Sequence, residues 1–330
     1  MLVLAFTLSA CSDQRELVQL DGSTMGTYYS IKLIKQEGLP EASDMQAEID
    51  RRLELVNDQM STYRKHSELS QFNQQRTLEP FEVSDDTATV VKEAIRLAKL
   101  TDGALDVTVG PIVNLWSFGP EARPESTPTD QELAERRDIV GIHHLSLEGN
   151  MLTKDIPELY VDLSSIAKGF GVDVVADYFD DLGADDYLIE IGGELSLKGN
   201  NLEGVPWRIA IEKPTEDGRR AIQEVIEPGD MAVATSGDYR NYFEEDGVRY
   251  SHLIDPNSGT PISNHVVSVT VLHPSSMTAD ALATAFSVMG EEKSIALAEQ
   301  ENLPVLLVVK TEQGYKEFIS DAFAPYLQKK

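Results

Sequence analysis

The sequence predicts an α+β fold, on three observations. Segments with the two-residue alternation of strands and segments with the 3.6-residue repeat of helices both occur, but they do not alternate strictly, which argues against a doubly wound sheet. There is no repeat of fixed period, and neither GxGxxG nor GxxxxGK[ST] occurs, so the usual nucleotide cradles of α/β folds are missing. A chain of 330 residues, 41% of them hydrophobic, can bury one large core or two intertwined subdomains.

The elements follow in order. "TYYSIKLI" at 27–34 alternates as a strand, and "SDMQAEIDRRLELVNDQMSTY" combines an N-cap at Ser43 with apolar positions at helical spacing. A second helix runs from about residue 84 through "DDTATVVKEAIRLAKL" and stops before Asp102-Gly103. Residues 119–130, including "PEARPESTPTD", show no periodicity and read as a surface loop. "LYVDL" is expected to be a strand, followed by a helix over 165–182 that Gly183 ends. "YLIEIGGELSLKG", "WRIAIEKP", "MAVATSG", "HVVSVTVLH" and "LPVLLVVK" read as strands. Between the last two lies a helix from 277 to about 289, with Gly290 as its stop.

The 56 acidic and 28 basic residues give a formal charge of -28. That field repels phosphate backbones and anionic lipid headgroups, so nucleic acid is not an expected partner. An anionic nucleotide ligand would need local positive charge from a metal, a lysine or a helix N-terminus. Cys11 is the single cysteine, which excludes an internal disulfide framework. It ends the run "MLVLAFTLSAC", which looks like a bacterial lipobox. The expected organisation is therefore a signal segment at 1–11, a tether at 12–22 and one catalytic domain at 23–330, outside the cytoplasm. No Lys or Arg precedes the apolar run, which points to a start upstream of Met1. The alternative is an apolar tail on a cytoplasmic protein. No other segment reaches the roughly 18 apolar residues of a membrane span, so contact with a membrane is expected only through a lipid anchor.

Four constellations could carry chemistry. In "MTADALATA", Asp280 and Thr284 stand four residues apart on one helix face among alanines. Such oxygen donors suit a hard cation such as Mg2+, unless the Asp is simply solvated and the Thr bonded to its own helix. In "VDLSSIAKGFGVD", Asp162 is followed by Lys168, Gly169 and Gly171 at a helix start, an arrangement that can receive phosphate or can be an ordinary turn. In "YSHLIDPNSGTPIS", His252 lies just before the turn-forming run from Asp255 to Gly259, where an imidazole can take a proton from a hydroxyl attacking phosphorus or can be structural. In "GALDVTVGPIVNLWSFG", Trp116 and Phe118 are either core or a wall for a flat aromatic ligand, and Met25 and Tyr63 offer further surfaces of that kind.

Taken together and in this order, these segments resemble the ApbE family, the FAD:protein FMN transferases. The matching stretches are "STMGT", "STYRKHSELSQFN", "GALDVTVGPIVNLWSFG", "VDLSSIAKGFGVD", "IEIGGELSLKG", "WRIAIEKP", "ATSGDYRNYF", "YSHLIDPNSGTPI" and "MTADALATAFSVMG", which span residues 23–290. The resemblance implies a unit of two intertwined subdomains with FAD in the cleft between them. It matches Met25, Tyr63, Ala104, Leu105, Asp106, Asp162, Lys168 and Ile254 to flavin-nucleotide positions. It matches Asp280 and Thr284 to magnesium ligands, with a third from the backbone carbonyl of Ser165; Mn2+ would accept the same oxygens. The implied reaction moves FMN from FAD to an acceptor threonine and releases AMP, with His252 as the candidate base and Asp255 as a weaker one. The implied acceptors are flavoprotein subunits of sodium-pumping NADH:quinone reductases and related redox complexes. The lipobox-like start resembles family members exported to the periplasmic side of the inner membrane. The alternatives are an FAD-storing lipoprotein, a generic solute-binding lipoprotein and an FAD pyrophosphatase.

Overall fold

Eight antiparallel strands build the central sheet. The computed structural model describes residues 15–119, 127–213, 222–237, 242–245 and 248–328. The strands are β1 (Leu17–Thr24), β2 (Thr27–Ile34), β3 (Tyr187–Ile191), β4 (Glu194–Lys198), β5 (Ala232–Gly237), β6 (Val266–His273), β7 (Val305–Thr311) and β8 (Gly314–Ile319). They lie side by side in chain order, and every neighbouring pair is antiparallel. The helices are inserted between strands of this meander and do not cross over parallel ones, as the α+β expectation requires.

The helices are α1 (Ala42–Met60), α2 (Glu68–Gln74), α3 (Asp85–Leu100), α4 (Gly110–Leu115), α5 (Asp130–Arg137), α6 (Ala167–Asp181), α7 (Ser276–Met289) and α8 (Glu291–Gln300). On one face of the sheet, Val269, Val271, Val305 and Leu307 join Ala281, Leu282 and Phe286 of α7 in the main core. On the other, Leu272, Leu306 and Val308 pack with Trp207, Ile226 and Phe323. The period of two along β6 and β7 thus feeds two cores at once. A third cluster joins Ile49 and Leu53 of α1 to Val172, Val175 and Phe179 of α6 and to Ile31 and Ile189 of the sheet.

Most expected elements occur, with five corrections. Residues from Leu17 onward are not tether: they form β1, whose register pairs Leu17 with Ile34 and Thr24 with Thr27, and Leu20 is buried. Ser43 does not cap α1. Helix geometry starts one residue earlier, and Glu41 supplies the carbonyl that accepts from Asp44 and Met45 at 3.0 and 3.1 Å. "LYVDL" is extended but is no strand, because its backbone bonds to the Asn73 side chain and to the Val107 carbonyl and not to a ladder. The helix expected over 165–182 begins at Ala167, after a turn, and ends at Asp181. "YLIEIGGELSLKG" is a hairpin, turned by Gly192 and Gly193 at φ 61° and 107°, the left-handed values glycine tolerates without strain. Cys11 and the expected signal segment lie outside the described residues, as do residues 120–126 of the expected loop. Among the described residues no helix is long and apolar enough to cross a membrane.

Candidate active site

Helices α6 and α7 meet at their N-terminal ends, and the sequence there permits unusually close contact. A Cβ on Gly169 would lie 2.3 Å from the Ser276 carbonyl oxygen and 2.8 Å from the Met277 Cα, so only glycine lets the two backbones approach this far. Asp173 of α6 accepts from the Ser276 and Met277 N–H groups at 2.7 and 3.0 Å and from the Ser275 hydroxyl at 2.7 Å, placing a carboxylate on the positive end of α7. Ser275 in turn caps the helix by accepting from the Thr278 N–H at 3.3 Å. These ties set the rotation of α7 and so aim Asp280.

Asp280 is 5% exposed. Its Oδ2 accepts from the Gly169 N–H at 3.0 Å, and its Oδ1 lies 3.4 Å from the Lys168 ammonium. Lys168 also donates to Glu194 Oε1 at 2.6 Å. Burial works to lower the Lys168 pKa, but Asp280 and Glu194 outweigh it and hold the ammonium above the usual lysine range. Burial raises Asp280. Burial first, and the Asp280 charge second, push Glu194 up to about 7 against the pull of Lys168. Burial is thus the leading cause for both acids, and the one ammonium they share offsets it only in part.

This cluster forms one side of a cleft of about 410 Å3, a volume suited to a small-molecule site. Ser165, Asp280 and Thr284 all line it. Among the described residues no group of three or more His, Cys, Asp or Glu could hold a metal, so any ion here would rest on a mixed set of oxygens. That set is a hard one: a buried carboxylate, a hydroxyl one helical turn away and the backbone at Ser165 fit Mg2+ or Mn2+ better than a soft metal.

Across the cleft stand Tyr63, Ala104, Leu105, Asp106, Phe118 and Asp162. Asp106 is engaged as a tie: its Oδ1 accepts from the Thr108 N–H at 2.7 Å, and its Oδ2 accepts from Ile142 N–H at 3.0 Å. Asp162 accepts from the Ser164 N–H at 2.9 Å and so shapes the turn into α6. Tyr63 is 71% exposed at the rim, and partial desolvation of the phenol, with the Asp162 charge second, raises its pKa. His252 and Ile254 also line the cleft. Phe118 meets the His252 ring edge-on with centroids 6.4 Å apart. Behind them Trp116 is core: its ring lies tilted against Tyr250 with centroids 5.4 Å apart, and Nε1 donates to the Gly259 carbonyl at 2.9 Å. The two aromatic readings therefore divide, with Phe118 as wall and Trp116 as support.

Two candidates stand apart from the lining. Met25 occupies the β1–β2 turn at φ 50° and packs against Gly171, where a Cβ would approach its Cε to 2.8 Å. Asp255 accepts from the Asn257 N–H at 2.9 Å and holds the loop after His252. Glu194, Thr235, Ser236 and Gly237 line the cleft but were not assigned from the sequence. Their stretches, "IEIGGELSLKG" and "ATSGDYRNYF", were visible as motifs. The signal for Glu194 was its place directly after a Gly-Gly turn.

Comparison with known proteins identifies the family. The ApbE family model matches residues 25–307. A Vibrio cholerae protein named FAD:protein FMN transferase is 65% identical over 322 residues, covering 98% of this chain and 96% of its own. A Haemophilus influenzae protein of the same name is 52% identical, covering 97% and 94%. The solved structure of the flavin transferase ApbE from Vibrio cholerae superposes with a TM-score of 0.90 at 64% identity, over 95% of this chain and all of that one. The apo form of the Pseudomonas stutzeri flavinyl transferase ApbE gives 0.88 at 40% identity, over 95% and 97%. By family model, identity and fold alike, the chain belongs to the ApbE family.

Proposed function

We propose that this protein is an FAD:protein FMN transferase that moves the FMN part of FAD to a threonine hydroxyl of an acceptor flavoprotein and releases AMP. The observation that carries the reading is the single cleft onto which the Lys168–Asp280 pair, Thr284, Asp162 and His252 all open. The names of the relatives support the activity class. Acceptors of the sodium-pumping NADH:quinone reductase type and a lipid-anchored, periplasmic location belong to the same proposal.

Asp280, Thr284 and the carbonyl of Ser165 are the residues that would hold Mg2+, or Mn2+ in its place. Bound there, the ion would supply charge neutralisation on the pyrophosphate as negative charge develops on the departing AMP. The residues of the chain do the rest. The Phe118 wall and the apolar side chains of Leu105 and Ile254 give the isoalloxazine a dry surface. Lys168, at the start of α6, faces the phosphates and supplies positive charge beside them in a chain of charge -28. His252 takes the proton from the threonine hydroxyl. The threonine oxygen then forms a bond to the FMN phosphorus, the bond between that phosphorus and the bridging oxygen breaks, and its electron pair leaves on AMP.

Asp280→Asn tests the reading. It should abolish AMP release in the presence of FAD, Mg2+ and acceptor, as EDTA should with the unaltered protein. An FAD-storing lipoprotein predicts that Asp280→Asn leaves FAD affinity and behaviour unchanged and that the unaltered protein releases no AMP.

A further inference from the structure

Glu194 is the first residue of β4 and follows the Gly192-Gly193 turn, whose left-handed backbone brings the chain back sharply beside the cleft. The residue is 4% exposed. Its Oε1 accepts the 2.6 Å hydrogen bond from Lys168. Its Oε2 is buried and has no hydrogen-bond partner among the described residues. The other buried side-chain atoms of this kind, in Gln59, Asn114, Gln223 and Ser276, are amide or hydroxyl oxygens. Among the described residues only Glu194 presents a carboxylate oxygen in that state. Leaving a charged acceptor buried and unpaired costs more than leaving a neutral one, so a partner is expected.

No hydrogen bond joins Glu194 Oε2 to Asp280, whose own oxygens are taken up by the Lys168 ammonium and the Gly169 N–H. Two carboxylates and one ammonium also leave one negative charge uncompensated in a buried cluster. A hydrated divalent cation supplies both missing elements, positive charge and donated water protons, since Mg2+ keeps several waters when few protein groups bind it. We propose that Glu194 is a positioning residue of the site: Oε1 holds Lys168 beside Asp280, and Oε2 accepts a hydrogen bond from a water on the divalent cation that Asp280 binds. This rests on the metal-dependent transferase reading above and extends it by one residue outside the ligand set. Such outer carboxylates orient bound water and tune affinity without touching the ion.

The test uses Mn2+ as the probe, titrated by electron paramagnetic resonance into the purified protein with FAD present and acceptor absent, so that the readout is binding and not turnover. Glu194→Gln keeps the size and an acceptor for Lys168 but removes the charge. It is expected to weaken Mn2+ about 10- to 100-fold while the thermal midpoint stays near that of the unaltered protein. Glu194→Asp, which keeps the charge one methylene further back, is expected to fall between the two, and it carries the test if Glu194→Gln does not fold. Undiminished Mn2+ affinity in either variant would overturn the proposal. Asp280→Asn is the control that separates the two claims: if the unaltered protein binds Mn2+ and Asp280→Asn does not, the metal reading stands whatever Glu194 does. An unaltered protein that binds no Mn2+ would overturn both.

Discussion

Replacing Gly169 by alanine should separate α6 from α7 and disable the site they hold. The new Cβ would sit 2.3 Å from the Ser276 carbonyl oxygen, 2.6 Å from its carbon and 2.8 Å from the Met277 Cα. All three are backbone atoms, so no side chain can swing away. Restoring ordinary contact requires about 1 Å of movement, and overpacking of this kind costs roughly 1–3 kcal/mol. The same movement stretches the 3.0 Å hydrogen bond from the Gly169 N–H to Asp280, worth about 1.5–3 kcal/mol for a charged acceptor. Together these give a loss of about 2.5–6 kcal/mol. At an unfolding entropy of about 2.1 cal/mol/K per residue, the melting temperature of a chain this long should fall by ~4–9 °C. Asp280 moves with α7, and a displacement near 1 Å at a reacting centre costs on the order of 100-fold in rate. Calorimetry and an assay of AMP release check the two effects separately. A variant that melts and turns over like the unaltered protein would refute the account of how the helices position Asp280.

Other outcomes follow from the same structure. His252→Asn should lower kcat by about 100- to 10,000-fold with FAD binding retained, as measured by flavin fluorescence; an unchanged kcat would remove His252 from the reaction. Lys154 is buried, with its ammonium 3.2 Å from the Phe72 carbonyl oxygen and 3.4 Å from that of Leu159, and burial pulls its pKa down from 10.5 to about 8. Between those values the unfolded chain binds a proton that the folded one does not, so stability should rise as pH increases from 8 toward 10.5. Denaturant midpoints should show that rise in the unaltered protein and its loss in Lys154→Met.

Much of the scaffold was legible because local signals and tertiary demands coincide. Ser84, the acidic pair Asp85 and Asp86 and the following apolar spacing mark α3, and the structure shows Ser84 accepting from the Thr87 N–H. Gly183 and Gly290 end α6 and α7 at φ 73° and 78°, as their positions after periodic runs require. Where the expectation erred, the competing partner was distant in sequence. The backbone of "LYVDL" is satisfied by Asn73, 88 residues away from Val161, which no local pattern encodes. β1 is likewise specified by its pairing with β2, and its half-polar sequence resembles a tether until that partner is known. At the site, Asp280 and Thr284 could be read from helical spacing, and Lys168 from its place at a helix start. Glu194 is marked in the sequence only by its place after a Gly-Gly turn, because its significance lies in meeting a lysine 26 residues earlier and an aspartate 86 residues later. Spacing reports what one element presents to one side, while a buried charge cluster is assembled by three.

The central claim is tested most directly by weighing an acceptor domain that bears a flavinylatable threonine after incubation with this protein, FAD and Mg2+, with AMP assayed in the same reaction. The account predicts a mass gain of one FMN per acceptor matched by one AMP, with both lost in Asp280→Asn. AMP without any gain in mass would mean that water and not the threonine takes the FMN, and FAD bound with neither product formed would contradict the account outright.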